Sequence, residues 1–418
     1  MTKTAQHNEN LNIYGSLAIK DGTQGNGYVL TSDSGGTATW ISQSAITGNV
    51  TGVTFYNTVF VSKKGSDSSG LIERLDKPFL TISAATTALK SAYPLSARTG
   101  TVRYLVKVFS GNYNEPILLD NYTDYDLTNI TLDLQSGSTF TIDDNNVACN
   151  SIVYGNAIIK RSGAGSGGCV KTQNTGTTLT LYADSMSAER NTGTIFCFGG
   201  SQTIICKKIV CLVSGTFVVY ASSINGPVNQ IIYGNISGLT GNYGISCFLN
   251  VTQTLYGNVI THGGYAAYAQ SFGCLQTVYG NVSSDNIGAE CEGGGVQTIY
   301  GNVSGGTNWG ANITTGTQII NGNVTNATTS SSAYVVRNTG GVQIINNGRI
   351  SAPVNIDCVS AIGTSTILNN CTLLTSGTGK SLSNGSTVYV YGNCQSNATT
   401  GSSTTQLVGT INFNASVV

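Results

Sequence analysis

The sequence predicts an all-β chain wound as a parallel β-helix, a solenoid of about 10–12 coils. Three observations carry that expectation: a nine-residue phrase that recurs at a near-constant interval, a composition made for strands and tight turns, and the absence of any helical repeat. The phrase is clearest as "QTIYGNVSG" at 297–305, with "QIIYGNISG" from Gln230, "QTLYGNVIT" from Gln253, "QTVYGNVSS" from Gln276 and "QIINGNVTN" from Gln318. Gln230, Gln253, Gln276, Gln297, Gln318 and Gln343 are separated by 23, 23, 21, 21 and 25 residues. Weaker copies lie near Tyr154, Tyr182, Gln202 and Tyr391. A period of 20–28 residues whose length varies in one part only is how stacked structural repeats look in sequence.

Composition points the same way. Charged residues make up 9% of the 418-residue chain, against roughly 25% in an average soluble protein. The hydrophobic share is nevertheless 40% with only 5 prolines, so the chain has enough apolar surface to form a core. Glycine (53 residues), Asn, Ser and Thr supply the turns. No 3.6-residue apolar periodicity runs through the repeats, which argues against helical solenoids; short β-prone runs between Gly-Asn turns fit one coil per repeat. Coils about 4.8 Å apart would make a rod on the order of 50 Å long.

Within the phrase, the Gly-Asn pair is expected at a corner between strands, where a positive φ suits Gly and is tolerated by Asn. Asn235, Asn258, Asn281, Asn302 and Asn323 would then stack with their side-chain amides in a hydrogen-bonded ladder. Tyr233, Tyr256, Tyr279 and Tyr300 would form an aromatic ladder, and the glutamines a further amide ladder. Whether Gln or Thr faces the interior stays open, because the corner shifts the alternation.

Several function classes find no support. The 19 basic and 19 acidic residues cancel, so no net field attracts nucleic acid or an anionic membrane. No apolar run reaches the roughly 18 residues of a membrane span, and "MTKTAQHNEN" lacks the apolar core of a secretory signal; synthesis in a cytoplasm is expected. The 11 cysteines are scattered, with no Cys-x-x-Cys and only His7 and His262 as histidine partners. Buried free thiols are expected, and no metal or cofactor. Asn-x-Ser/Thr sequons such as Asn235, Asn281 and Asn302 follow from the composition. "GAGSGG" at 163–168 lacks the Lys-Ser/Thr of a phosphate-binding loop and reads as a turn. Lys207 and Lys208, beside Glu189 and Arg190, are expected to form surface pairs of little consequence. His262 sits in a Gly-rich stretch without an acid nearby in sequence.

The candidate chemistry is sparse. Acidic residues beyond 185 are Glu189, Asp285, Glu290, Glu292 and Asp357, and three of these share "SSDNIGAECEGGG". Two carboxylates about 5–9.5 Å apart would serve glycoside hydrolysis, so Asp285 paired with Glu290 or Glu292 is the best catalytic candidate; the plainer reading is a solvated turn. Seven to twelve residues past the corner glycine lie Tyr243, Tyr265, Tyr268, Trp309 and Tyr334, in the length-variable part of each repeat where exposed function tends to sit. Core packing would explain them; so would an aromatic stripe on which sugar rings stack.

Two stretches ahead of the repeats resemble known families. "GNGYVLTSD" from Gly25 to Asp33, followed by Gly36, Ala38 and Trp40, resembles the N-terminal modules of phage tail fibres and related virion proteins. "TVFVSKKGSDSSGLIERLDKPFLTISAATTAL" (58–89) and "TVRYLVKVFSGNYNEPILL" (101–119) resemble the opening of pectin-lyase-like β-helices. Together these cover about a quarter of the chain. The second resemblance implies a right-handed helix with an opening strand, a Gly-Ser-Asp loop and a short capping helix. Pro78 would lie in its first turn and Ile82, Ala85 and Leu89 would cover the end of the core. The division expected is residues 1–55 as virion-attachment and trimerisation module, 56–100 as opening strand and cap, 101–400 as β-helix and 401–418 as closing strand.

The resemblances imply a virion structural protein on a tail or capsid surface. It would be a homotrimeric fibre or spike that joins other virion proteins through its N-terminal module and recognises a host-surface polysaccharide. A polysaccharide depolymerase with an intersubunit site, hydrolase or lyase, is the first alternative. A decoration or surface-filament protein without a ligand is the second.

Overall fold

The computed structural model describes residues 28–32, 38–42 and 57–413, apart from short stretches at 95–97, 99–101, 120, 134–139, 143–149, 164–167, 190–192, 328–333, 363–364, 384–386 and 398–405. The chain divides into two compact units, Met1–Tyr56 and Asn57–Val418. In the first, Tyr28–Ser32 and Ala38–Ser42 pair antiparallel, Leu30 opposite Trp40; the rest of the proposed attachment module lies outside the described residues, as do Arg190 and most of the "GAGSGG" turn. The second unit is a parallel β-solenoid of about 11 turns.

Each coil has three arms, typified by Val251–Tyr256 (arm A), Val259–His262 (arm B) and Tyr265–Gln270 (arm C). Every arm pairs in parallel with its counterpart in the next coil, as Tyr256 with Tyr279, Val259 with Val282 and Ala267 with Ala289. The C arms alone form a 12-stranded parallel sheet from Leu118–Leu119 to Leu382–Ser383. Stacking satisfies the backbone of each strand through its neighbours above and below, which is why one repeat cannot stand alone. The core is a set of apolar columns. Ile232, Leu255, Val278, Ile299 and Ile320 fill it from arm A, and Ile236, Val259, Val282, Val303 and Val324 from arm B; all are fully or almost fully buried.

A short helix, Ile82–Ala92, closes the solenoid's N-terminal end and buries Ile82, Ala85, Thr86 and Leu89. Its N-cap is Thr81, whose hydroxyl accepts from Ala84 N–H at 3.1 Å. Asp67 of the Gly-Ser-Asp loop accepts the N–H groups of Leu80 and Thr81 at 2.8 and 2.9 Å, and Glu115 accepts that of Ser83 at 2.9 Å. Carboxylates at a helix start answer its unpaired N–H groups and its dipole. Pro78 therefore is not in the first helical turn: it precedes the cap, its carbonyl bonded to Ser66 N–H at 3.0 Å.

The inward residue of the repeated phrase is Gln. Gln202, Gln230, Gln253, Gln276, Gln297, Gln318 and Gln343 are buried, and each Nε2 from Gln230 onward donates to the preceding Oε1 at 2.7–2.8 Å. Most also donate to a carbonyl of arm C, for example Gln276 to Tyr268 O at 3.1 Å and Gln297 to Glu290 O at 3.2 Å. This ladder ties arm A to arm C across the core. It ends where Thr366 stands opposite Gln343, and Asn338 there donates to Thr366 Oγ1 at 3.1 Å. The tyrosines face outward: Tyr233, Tyr256, Tyr279 and Tyr300 stack at 4.7–4.8 Å, within 6° of parallel.

The positive φ expected at the corner holds in some coils only: Gly155, Gly234, Gly257 and Gly392 adopt it, whereas Gly280, Gly301 and Gly322 do not. Glycine is required there by closeness: a Cβ on Gly280 would lie 2.1 Å from Gly257 O, and one on Gly301 2.2 Å from Gly280 O. The asparagine ladder also differs. Each Oδ1 accepts the next coil's backbone N–H, as Asn258 from Asn281 at 2.8 Å and Asn281 from Asn302 at 2.9 Å. An amide-to-amide bond joins Asn258 to Asn235 at 3.2 Å. The corner leaves that N–H without a carbonyl partner, so the side chain takes the acceptor's place. One further expectation is corrected. Cys247 and Cys274 form a disulfide, the other described cysteines being buried free thiols. Lys207 does form a surface pair, with Asp184 at 2.6 Å, one coil back on the same register.

Candidate functional site on the outer face of arm C

Arm C has its own alternation. In Tyr265–Gln270, Ala266, Ala267 and Ala269 join the buried apolar clusters, so Tyr265, Tyr268 and Gln270 turn outward. Two consecutive inward residues mark the bend into the arm, and the same pattern sets Tyr243, Ser246 and Phe248 outward one coil earlier and Ile287, Glu290 and Glu292 one coil later. Parallel stacking then aligns these positions in columns: Tyr220 with Ser246, Ser246 with Tyr268, Tyr268 with Glu290, Glu290 with Asn312 and Asn312 with Arg337.

Eight rings meet on this face across four coils. Phe196 and Phe198 stack at 5.8 Å and both contact Tyr220. Phe217 reaches Tyr243 at 4.8 Å, and Tyr220 reaches Phe248 at 5.1 Å. Tyr243 meets Tyr265 at 5.0 Å, and Tyr265 lies on Tyr268 at 4.9 Å. Further along, Trp309 lies beside Tyr334 in register, and the Arg337 guanidinium sits 4.5 Å over the Trp309 ring. All five aromatics singled out in the sequence are therefore on one face. Phe196, Phe198, Phe217, Tyr220 and Phe248 complete the patch; the first four lie in coils where the Gln-Tyr phrase is degenerate, and Phe248 follows the full copy at Gln230 on the same strand as Tyr243.

Two of the three candidate carboxylates lie on the same face. Glu290 and Glu292 are two apart on one strand, so both project outward. Glu290 is 5% exposed and accepts from Asn312 Nδ2 at 2.9 Å. Burial, with the Glu292 charge added, pushes its carboxyl up to about 7. Glu292 accepts the Tyr268 hydroxyl, and burial together with the Glu290 carboxylate pushes the Tyr265 hydroxyl up to about 12. The result is an aromatic wall bordered by one carboxyl able to hold a proton near neutrality and another hydrogen-bonded by a phenol.

Asp285 does not join them. It sits in the turn before Ile287, and its Oδ2 is 2.9 Å from His262 Nδ1 on the preceding coil. His262 thus has an acid partner after all, 23 residues away in sequence and one coil away in space. The pair borders a groove of 380 Å³ with Thr240, Asn286 and Thr307. Both side chains are more than half exposed, at 56% and 70%, so solvent screens their attraction. A larger depression of 690 Å³ near Thr177, Pro227 and Thr252 is lined by no titratable side chain. Among the described residues no group of three His, Cys, Asp or Glu is placed to hold a metal ion, and no helix is long and apolar enough to cross a membrane.

Comparison of the chain with known protein families, with curated proteins and with solved structures finds no match.

Proposed function

We propose that the protein is a virion structural component of the tail-fibre or spike type, and that it recognises a host-surface glycan along the outer face of arm C. The observation that supports this reading is the continuous wall of eight rings from Phe196 to Tyr268, followed by Trp309 and Tyr334. Sugar rings present an apolar C–H face that stacks on aromatic side chains, and an extended chain of them suits a surface that repeats once per coil. Residues 1–55 serve as the attachment module, and the working unit is a homotrimer; the resemblances of the sequence motivate both.

A second reading has its own observation. Glu290 and Glu292 supply, within one subunit, a carboxyl that holds its proton near pH 7 and a neighbouring carboxylate, the two roles glycoside hydrolysis divides between acid and base or nucleophile. In that case the bound glycan is also cut.

One experiment separates the readings. The purified full chain is applied to immobilised bacterial surface polysaccharides, with binding and reducing-end release followed together, and its oligomeric state is measured by sedimentation. Retention without release supports the recognition reading; release that Glu290→Gln and Glu292→Gln each abolish supports the depolymerase. No retention on any polysaccharide overturns both.

A further inference from the structure

Three side-chain oxygens on this face are buried and without a hydrogen-bond partner: Ser246 Oγ, Glu290 Oε2 and Asn312 Oδ1. Their residues are 0%, 5% and 1% exposed. None belongs to the solenoid interior, because their strand neighbours Ile245 and Cys247, Ala289 and Cys291, Ala311 and Ile313 fill it. They line the outer side of the sheet, in the column that also holds Tyr268. A buried polar atom left unpaired costs about 1–3 kcal/mol, and native proteins keep few of them. Three in one column of one face mark a floor made for something that supplies the missing bonds.

The chemistry of that floor selects its ligand. Asn312 has already committed its Nδ2 to Glu290, so its Oδ1 can only accept. Ionised Glu290 can only accept at Oε2, and Ser246 can do either. The missing partners are therefore hydroxyl or amide donors. The rim is aromatic, through Tyr265, Tyr268 and Trp309. The charge facing the ligand is that of Glu290 and Glu292, with Arg337 as the cation that offsets Glu290. Hydroxyl donors around an apolar face, and no negative charge, describe an uncharged sugar.

Resting on the glycan reading, we infer that face C takes neutral hexose or N-acetylhexosamine units and rejects acidic ones. A uronate or sialate placed on this floor meets Glu292 at close range and finds acceptors where it needs donors. Like charges a few ångströms apart near a protein surface are enough for about a tenfold or greater loss of affinity.

The test uses the full chain carrying Trp40→Phe, which leaves Trp309 as the one fluorescent tryptophan, and three probes of matched length titrated at pH 8: maltohexaose, hexa-N-acetylchitohexaose and hexagalacturonate. The expected result is that a neutral probe binds at least about tenfold more tightly than the uronate. Glu290→Gln with Glu292→Gln, which keeps side-chain shape and the Asn312 bond, should close the gap by raising uronate affinity about tenfold. Tighter uronate binding by the chain that keeps both glutamates, or an unchanged ratio in the double variant, overturns the inference. If the uronate binds at least as tightly as the neutral probes and Tyr265→Ala removes that binding, the glycan reading stands while the charge rule falls. If no probe binds, both fall.

Discussion

The glutamine ladder should be the most sensitive polar element of the fold, and Gln276→Leu tests it at its centre. The wild-type amide donates to Gln253 Oε1 at 2.8 Å and Tyr268 O at 3.1 Å, and accepts from Gln297 Nε2 at 2.7 Å. Leucine fits the volume but strands an oxygen on Gln253 and a proton on Gln297, both in residues fully buried. At about 1–3 kcal/mol for each of the two stranded groups, and about 1–2 kcal/mol regained from the leucine's burial, the expected net loss is centred on about 2.5 kcal/mol and is at most about 5 kcal/mol. Gln343→Leu is the internal control. Its Oε1 is already unpartnered and its one ladder bond runs to Gln318 at 2.7 Å, so the change strands a single oxygen. The expected loss there is about 1–2 kcal/mol or less. Solenoids unfold in segments, so hydrogen exchange of the neighbouring coils is the suitable assay, with urea midpoints beside it. Equal losses at the two positions, or a gain at Gln276, would refute the claim that the ladder's interior bonds hold the coils together.

Three further outcomes follow from the same geometry. Gly280→Ala places a methyl 2.1 Å from Gly257 O and should cost about 3 kcal/mol or more; Gly215→Ala, with open space around it but φ of 75°, should cost about 1–2 kcal/mol, both read from thermal unfolding. Tyr256→Ala breaks two stacking contacts on arm A, at 4.7 and 4.8 Å, and should lower stability by about 1–3 kcal/mol while leaving any ligand affinity unchanged. Glu290 has a folded value raised from 4.5 to about 7, so the folded state holds the proton more tightly than the unfolded chain. Its contribution is fully present below pH 4.5 and is lost as pH rises through 7. Melting temperature should therefore fall between pH 5 and pH 8, and Glu290→Gln should flatten that slope.

How much was legible in the sequence depends on whether a feature lives within one repeat or between repeats. The coil period and the columns of Gln, Tyr and Asn follow from spacing alone, because stacking copies each position onto the next; the capping helix with Ile82, Ala85 and Leu89 came from the resemblance of the opening segment. The direction of each column did not follow, since the Gly-Asn corner interrupts the period-two alternation; burial of Gln276 and exposure of Tyr279 needed coordinates. The reason for glycine was visible in part: a positive φ, as at Gly234 and Gly257, is a property of one residue, whereas the contact of Gly280 with Gly257 O belongs to two coils. His262 and Asp285 meet across one period, so a search one repeat onward would have joined them. Cys247 lies on arm C, in register with Ala269, whereas Cys274 lies just before the arm A strand Leu275–Tyr279, so the disulfide joins positions that the repeat does not stack and carried no signal.

The site was half visible for the same reason. Tyr243, Tyr265, Tyr268, Trp309 and Tyr334 stood out because they follow clear copies of the phrase, while Phe196, Phe198, Phe217 and Tyr220 precede the first full copy at Gln230. Glu290 and Glu292 were noted as acids, but their position beside the rings depends on the two consecutive inward residues of arm C. The repeated phrase itself is architecture; the proposed recognition face lies on the arm that follows it.

A paired comparison of the two arms separates architecture from recognition. A polysaccharide retained by the wild-type protein is titrated against Tyr265→Ala on arm C and Tyr256→Ala on arm A, with affinity as the readout. The account predicts that the arm C variant loses about tenfold or more, the effect of removing a stacking platform worth roughly 1–3 kcal/mol, and that the arm A variant binds as the wild type does. Loss of affinity in Tyr256→Ala with Tyr265→Ala unchanged would move the binding face to the exposed tyrosine ladder and contradict the account.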